Sequence, residues 1–359
     1  MPLQQHTAFD LFISGQEGYH TFRIPALLVT SQGVLLAFAE GRKQGRGDAG
    51  EIDLVLKRSL DHGRTWQPLQ IVVSEAGMTC GNPCPVLDRT TGTIWLPFCK
   101  NLADGGEHQI VEGKAPRTVW LTYSNDEGAT WATPREITTS VKDPAWTWYA
   151  TGPTHGIQLA SGRLLIPCDH VIGSHLAPQS ERNFSHVIYS DDHGATWHIG
   201  GSVIPGTDEC AVVETVNGAI YINCRNYSGS NRRVVAWSDD QGATFAQVRQ
   251  ETTLIEPVCQ GSLVRVSSPT QPVPNRILFA NPASTARERL TVRMSEDEGQ
   301  SWPIAKQLYA GPSAYSDLAV AGDGLICCLY ERGEQHPYER LTLARFNVAW
   351  LLDGQEEST

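Results

Sequence analysis

Long apolar runs are what this sequence most plainly lacks. The longest candidates, IPALLV and GVLLAFA, have the length of strands, far short of the roughly 18 apolar residues that a spanning helix needs, so no membrane span is expected. Positive charge is scarce as well: 28 Lys and Arg stand against 39 Asp and Glu, a formal net charge of −11. With no basic run to neutralise phosphates, nucleic acid is excluded as a partner. An anionic substrate would need a local basic pocket.

The nine cysteines are odd in number and scattered over 359 residues, so they define no disulfide framework and read as buried thiols. Cys80 and Cys84 in TCGNPCP have no second pair or histidine motif to complete four ligands, and no metal is expected. The opening MPLQQHTAFDLFISG has no basic start, apolar stretch or small-residue cleavage site. The expected compartment is therefore the cytoplasm, or the exterior if a signal peptide has been removed. A 40% hydrophobic and 19% charged composition is that of an ordinary globular chain and excludes disorder.

What is present is a repeat. SLDHGRTW from Ser59, SNDEGATW from Ser124, SDDHGATW from Ser190, SDDQGATF from Ser238 and SEDEGQSW from Ser295 start 65, 66, 48 and 57 residues apart. That spacing suits one four-stranded sheet per repeat. Asp61, Asp126, Asp192, Asp240 and Asp297 can accept hydrogen bonds from backbone N–H groups in a tight turn, and a glycine two residues later can take positive φ. The closing Trp66, Trp131, Trp197, Phe245 and Trp302 offer rings to pack between neighbouring sheets.

Before the boxes lie IDLVLKRS, TVWLTYS, SHVIYS, RVVAWS and LTVRMS, whose alternation predicts half-buried strands. Long amphipathic helices are absent. The stretch from Leu318 to Asn347 carries GLICCLY and RLTLARFN but no box, and the N-terminal AFDLFISG is expected to supply its missing partner strand. The predicted fold is all-β, a six-bladed β-propeller of four-stranded antiparallel sheets, forming a single domain over residues 1–359.

These turns resemble the Asp boxes of sialidases. YHTFRIPALL, with Phe22, Arg23, Ile24 and Pro25, is similar to the FRIP motif of the same family, and the resemblance runs from about Phe12 to Phe346. It implies an exo-α-sialidase that releases terminal α-linked sialic acid from sialylated glycoconjugates with retention, without a metal or organic cofactor. Sialic acid carries a carboxylate on its anomeric carbon, and guanidinium forks hold a planar carboxylate bidentately. The resemblance assigns that work to Arg23, to Arg225 in YINCRNYSG and to Arg287 in NPASTARERLTVRMS, with Arg289 as rival for the third place.

Asp48, in the glycine-rich GRKQGRGDAG 25 residues after Arg23, resembles the family's acid/base aspartate. The loop has neither the Walker pattern nor a following helix, so it is no phosphate loop. Asp53 in EIDLVL reads as a strand residue. A carboxylate nucleophile would be repelled by the substrate's own carboxylate, whereas a neutral phenol needs only a base. Tyr315 in PSAYSDL resembles the nucleophile, and Glu209 in TDECAVVE the glutamate that takes its proton, with Glu214 as rival.

Clustered cations need countercharges. Glu331 in CLYERG resembles the glutamate that steadies Arg23, with Glu40 in AFAEGR expected to assist. Arg42 resembles a family arginine that contacts the sugar's 4-hydroxyl, and Asn82 in GNPCP sits where the family lines the same end of the pocket. Trp146, Trp148 and His170 read as core or loop residues. A sialic-acid-binding lectin is the non-enzymatic alternative. Transglycosylating, intramolecular and deaminated-sugar variants are the alternatives within the enzyme class.

Overall fold

The computed structural model describes residues 4–173, 175–266 and 275–353. The chain is all-β, and its helices among the described residues are single turns such as Glu107–Val111 and Val348–Leu352. Strands assemble into sheets of seven, nine, five and four. Among the described residues pairing is antiparallel apart from one parallel bridge, Ile52 with Thr79. The 17-residue strand Ile304–Val320 serves two neighbours: its first half pairs with Glu288–Ser295 and its second half with Ile326–Arg332. The N-terminal strand His6–Ile13 pairs with Arg340–Phe346, the partnership expected of AFDLFISG.

All five Asp boxes share one hydrogen-bond pattern. In the third, Ser190 Oγ donates to Asp192 Oδ1 at 2.8 Å and accepts the Gly194 N–H at 2.8 Å, while Asp192 also takes the N–H and hydroxyl of Thr196 at 2.8 and 2.6 Å. The serine is thus as much a hub as the aspartate. Gly194 has φ +86°, and a Cβ there would lie 2.2 Å from the Trp95 ring. Glycine is required for conformation and for space, because the turn seats against the neighbouring strand Ile94–Leu102.

The strands preceding the boxes are not all half-buried. Ile52–Ser59 buries its first five residues in succession, and Arg232–Ser238 buries its last six. Both are covered on each face by neighbouring sheets, which overrides the alternation predicted for a one-sided strand. Trp197 and Trp302 of the boxes are 2% and 1% exposed, inside such inter-sheet cores. All nine cysteines are buried thiols.

One local irregularity positions chemistry. Strand Thr21–Val29 pairs Arg23 with Glu40 and then Ala26 with Phe38, so one extra residue bulges at Ile24 and Pro25. Ile24 sits at φ +56°, costly for a β-branched residue. Its N–H turns to Glu331 Oε1 at 3.1 Å.

Candidate active site

Strands from all four sheets contribute to one pocket of about 290 Å³. It is lined by Arg23, Glu40, Arg42, Asp48, Asn82, Glu209, Arg225, Arg287 and Tyr315. Glu331 lies behind this wall, fully buried. Its two oxygens take Arg23 Nε at 3.0 Å and Nη2 at 3.3 Å, and also the N–H groups of Ile24 and Tyr315, both at 3.1 Å. One carboxylate therefore fixes the Arg23 fork relative to the Tyr315 backbone. Four donors make a carboxylate in a dry interior tolerable.

Tyr315 donates its hydroxyl to Glu209 Oε1 at 2.5 Å. Arg225 Nη1 donates to Glu209 Oε2 at 2.7 Å and to Tyr315 Oη at 3.1 Å. Burial, reinforced by the Glu209 charge, pushes the phenol well above its ordinary range, against the opposing pull of Arg225 and Arg287. Tyr315 is a neutral phenol beside a base. The Arg23 and Arg287 guanidinium carbons lie 5.0 and 5.4 Å from the Tyr315 ring centre, so all three arginines surround one ring.

Arg287 differs from its companions in lacking a carboxylate. Arg23 has Glu331 and Arg225 has Glu209, whereas Arg287 Nη1 bonds the hydroxyl of Tyr338, and no ion pair among the described residues involves it. Its carbonyl accepts the Ser313 N–H at 2.9 Å, which ties it to the Tyr315 strand. The rival Arg289 is exposed at φ +60° and faces Glu288 at 3.5 Å. The rival Glu214 lines a different, more apolar cleft of about 460 Å³, with Leu28, Val213 and Leu318.

Asp48 stands at the mouth, its side chain 67% open to solvent, bonded to Arg42 at 2.8 Å and Arg23 at 3.1 Å. The surrounding walls act to raise its pKa, but Arg42 and Arg23, with help from Arg287, hold the carboxyl below the usual range. Arg42 engages all five of its N–H groups within the protein, with Glu40, Asp48 and the carbonyls of Arg46 and Gly47. Glu40 thus supports Arg42, at 2.6 Å, rather than Arg23. The two share one face of strand Leu35–Arg42, as residues two apart must. Asn82, at φ +58°, donates its N–H to Glu40 at 2.8 Å, and its Oδ1 accepts from Arg117 Nη2 at 2.5 Å.

Several lining residues escaped the sequence reading: Glu107, Arg117, Asp169, Asn183, Asp208, Tyr227 and Tyr338. Tyr338 lies face-on to Arg23, 3.8 Å from guanidinium carbon to ring centre. Tyr227 accepts from Arg225 Nη2 at 2.5 Å. Its place two residues after Arg225 was the one legible signal. Trp148 also lines the pocket, beneath the Arg117 guanidinium. Trp146 instead stacks on the buried His170, whose pKa burial drives down to about 3. His108, Glu112 and His175 form the metal-type cluster among the described residues, within 4.8 Å of one another, but Glu112 already binds the Lys114 ammonium at 2.9 Å.

Comparison with known proteins places this geometry in context. The BNR repeat-like domain profile matches residues 33–328. A sialidase of Micromonospora viridifaciens is 35% identical over 368 residues, covering 96% of this chain and 54% of that protein, so the chain spans about half of that relative's length. An exo-alpha-sialidase of Aspergillus fumigatus is 33% identical over 376 residues, covering 94% of this chain and 86% of that protein. The structure of the Hadza microbial sialidase Hz136 superposes with a TM-score of 0.84 at 28% identity, over 95% of this chain and 68% of that one. Matched at 33–35% identity along nearly its whole length by two of these relatives, and by the repeat profile over most of it, the chain belongs to the sialidase family.

Proposed function

We propose that this protein is an exo-α-sialidase, a glycoside hydrolase that releases terminal α-linked sialic acid from glycoconjugates with retention of configuration. The observation that carries the reading is the convergence of Arg23, Arg225 and Arg287 on the ring of Tyr315, whose hydroxyl is hydrogen-bonded to Glu209. The guanidinium groups receive the sugar carboxylate, which sets the anomeric carbon over the phenol. Tyr315 Oη attacks that carbon and its proton passes to Glu209 Oε1. Asp48 protonates the departing glycosidic oxygen. In the second half Asp48 takes a proton from water, whose oxygen displaces Tyr315, and Glu209 returns the proton to the phenolate.

A neutral nucleophile suits an anionic substrate, and two displacements at one carbon restore its configuration. In this reading the four sheets belong to a closed six-bladed propeller, with strand Ile304–Val320 passing from one blade to the next and His6–Ile13 closing the last. The chain then acts as a single catalytic domain.

NMR of the product formed from a defined sialoside tests this directly. Free sialic acid appearing first as its α-anomer is the expected result. Release of the β-anomer first, or glycan binding with no release, would overturn it.

A further inference from the structure

Outside the sugar pocket, two surface segments bring three ligand-type side chains together. The helical turn Glu107–Val111 carries His108, and Glu112 follows as its C-cap, still at φ −73° and ψ −6° and with its N–H bonded to the His108 carbonyl at 3.0 Å. Residues 108 and 112 therefore stand one above the other on a single face. His175 arrives from the segment that follows strand Leu164–Ile172.

Both imidazoles address the same carboxylate. His108 Nδ1 lies 3.3 Å from Glu112 Oε2, and His175 Nε2 lies 3.4 Å from Glu112 Oε1. The ring centres are 5.1 Å apart, and the three ligand atoms fall within 4.8 Å of one another. These separations exceed the roughly 2.9–3.0 Å of an ordinary N–H···O hydrogen bond. They match another length: in a tetrahedral shell with zinc–ligand bonds of about 2.1 Å, neighbouring ligand atoms are about 3.4 Å apart. The His108 side chain is 73% exposed, so its ring has room to turn inward and close the wider spacing to His175.

The donor set decides which ion fits. Two imidazole nitrogens and one carboxylate oxygen suit zinc, whereas calcium and magnesium require oxygen ligands. Three protein ligands leave the fourth position to water. The Glu112 carboxylate already draws a cation, the Lys114 ammonium at 2.9 Å. That lysine is 69% exposed, and a single surface pair of this kind is weak enough for a divalent ion to displace.

We propose that His108, Glu112 and His175 form a zinc site that clips the helical turn Glu107–Val111 to the segment beyond strand Leu164–Ile172. The site takes no part in the chemistry proposed above and does not depend on it. Its place bears on the pocket all the same, because Glu107, next to His108, and Asp169, on that strand, both line the cavity. An ion joining the two segments fixes that shoulder of the pocket.

Calorimetric titration of the metal-stripped whole chain with zinc chloride, in a buffer that does not chelate, tests the site. One ion per chain should bind. His108→Ala, Glu112→Gln and His175→Ala should each weaken binding by at least about tenfold, the loss that even an outer partner of a metal ligand incurs. Lys114→Ala should bind zinc at least as tightly as wild type. Both histidines sit at the surface, so their removal leaves the fold intact. Absence of saturable binding would overturn the proposal. So would wild-type affinity in His175→Ala, which would leave only a pair one turn apart on a single helix, or weaker binding in Lys114→Ala, which would make the lysine part of the site.

Hydrogen exchange reads the clip itself. Amides 107–112 should exchange more slowly when zinc is added to wild type and should not respond in His175→Ala. Unchanged exchange in wild type at saturating zinc would refute the clip. Neither measurement needs turnover, so failure of the sialidase reading and failure of the zinc site are told apart.

Discussion

The Tyr315 hydroxyl and the Glu209 carboxylate meet at 2.5 Å, and Arg225 bonds both of them. The phenol therefore has a proton acceptor on one side and a guanidinium able to stabilise phenolate on the other. Burial and Glu209 keep it neutral at rest. In the proposed mechanism its proton leaves only when positive charge develops on the anomeric carbon, so the nucleophile is created within the reaction.

Tyr315→Phe removes that nucleophile while keeping the ring between Arg23 and Arg287. Turnover of a fluorogenic sialoside should fall by at least about 10³-fold. Stability should change by only about 1 kcal/mol, because Glu209 keeps Arg225. Glu209→Gln should also depress turnover and, by deleting the negative charge that raises the phenol, move the Tyr315 titration to lower pH. An ultraviolet titration of Glu209→Gln with and without Tyr315→Phe reads that shift. An unchanged phenol titration would contradict the role given to Glu209.

The arginines separate by what truncation leaves behind. Arg23→Ala strands Glu331, which is fully buried, and should cost about 3–5 kcal/mol of stability. Arg287→Ala leaves no carboxylate unpaired and should cost about 1 kcal/mol or less while raising KM strongly. Chemical denaturation alongside Michaelis kinetics distinguishes the two patterns. Equal destabilisation by both would deny Arg287 its freedom from internal pairing.

What could be read beforehand followed the range of each interaction. Asp boxes and the Arg23 motif are local, since turn chemistry and the Ile24 bulge are written in adjacent residues, and they carried fold and family. The Glu40–Arg42 pairing was equally local, two positions apart on one strand face, yet resemblance directed Glu40 to Arg23 instead. Asp169, Asn183 and Asp208 come from three strands and acquire meaning only where those strands converge. Strand burial was misjudged for the same reason, because the second covering sheet is remote in sequence.

Gly194 of the third box and Gly218, in the turn from Thr215 to Ala219 outside the boxes, allow conformation and packing to be separated. Gly194 and Gly218 share nearly the same φ, +86° and +83°, but a Cβ on Gly218 meets nothing within 4 Å while one on Gly194 strikes the Trp95 ring. Gly218→Ala should cost about 1–2 kcal/mol from backbone strain alone. Gly194→Ala adds overpacking and should cost about 1–3 kcal/mol more. Thermal denaturation measures the gap, and identical losses would mean that the box turn does not depend on its seat against Trp95.

Asp48 supplies the pH prediction. In the free protein Arg42 and Arg23 hold its carboxyl below the ordinary value, so near neutral pH it is ionised and cannot yet donate a proton. A bound substrate carboxylate neutralises the arginine field and adds negative charge nearby, and both changes raise the Asp48 pKa. Between the free and the bound value, binding must therefore take up a proton. Affinity should weaken as pH rises through that interval, and kcat should fall as pH passes the raised value in the complex. Calorimetry of a non-hydrolysable 2,3-dehydro sugar in buffers of differing ionisation enthalpy counts the protons. About one should be taken up by wild type and none by Asp48→Asn. Equal uptake by both proteins would show that the carboxylate at the pocket mouth is not the acid that substrate charges.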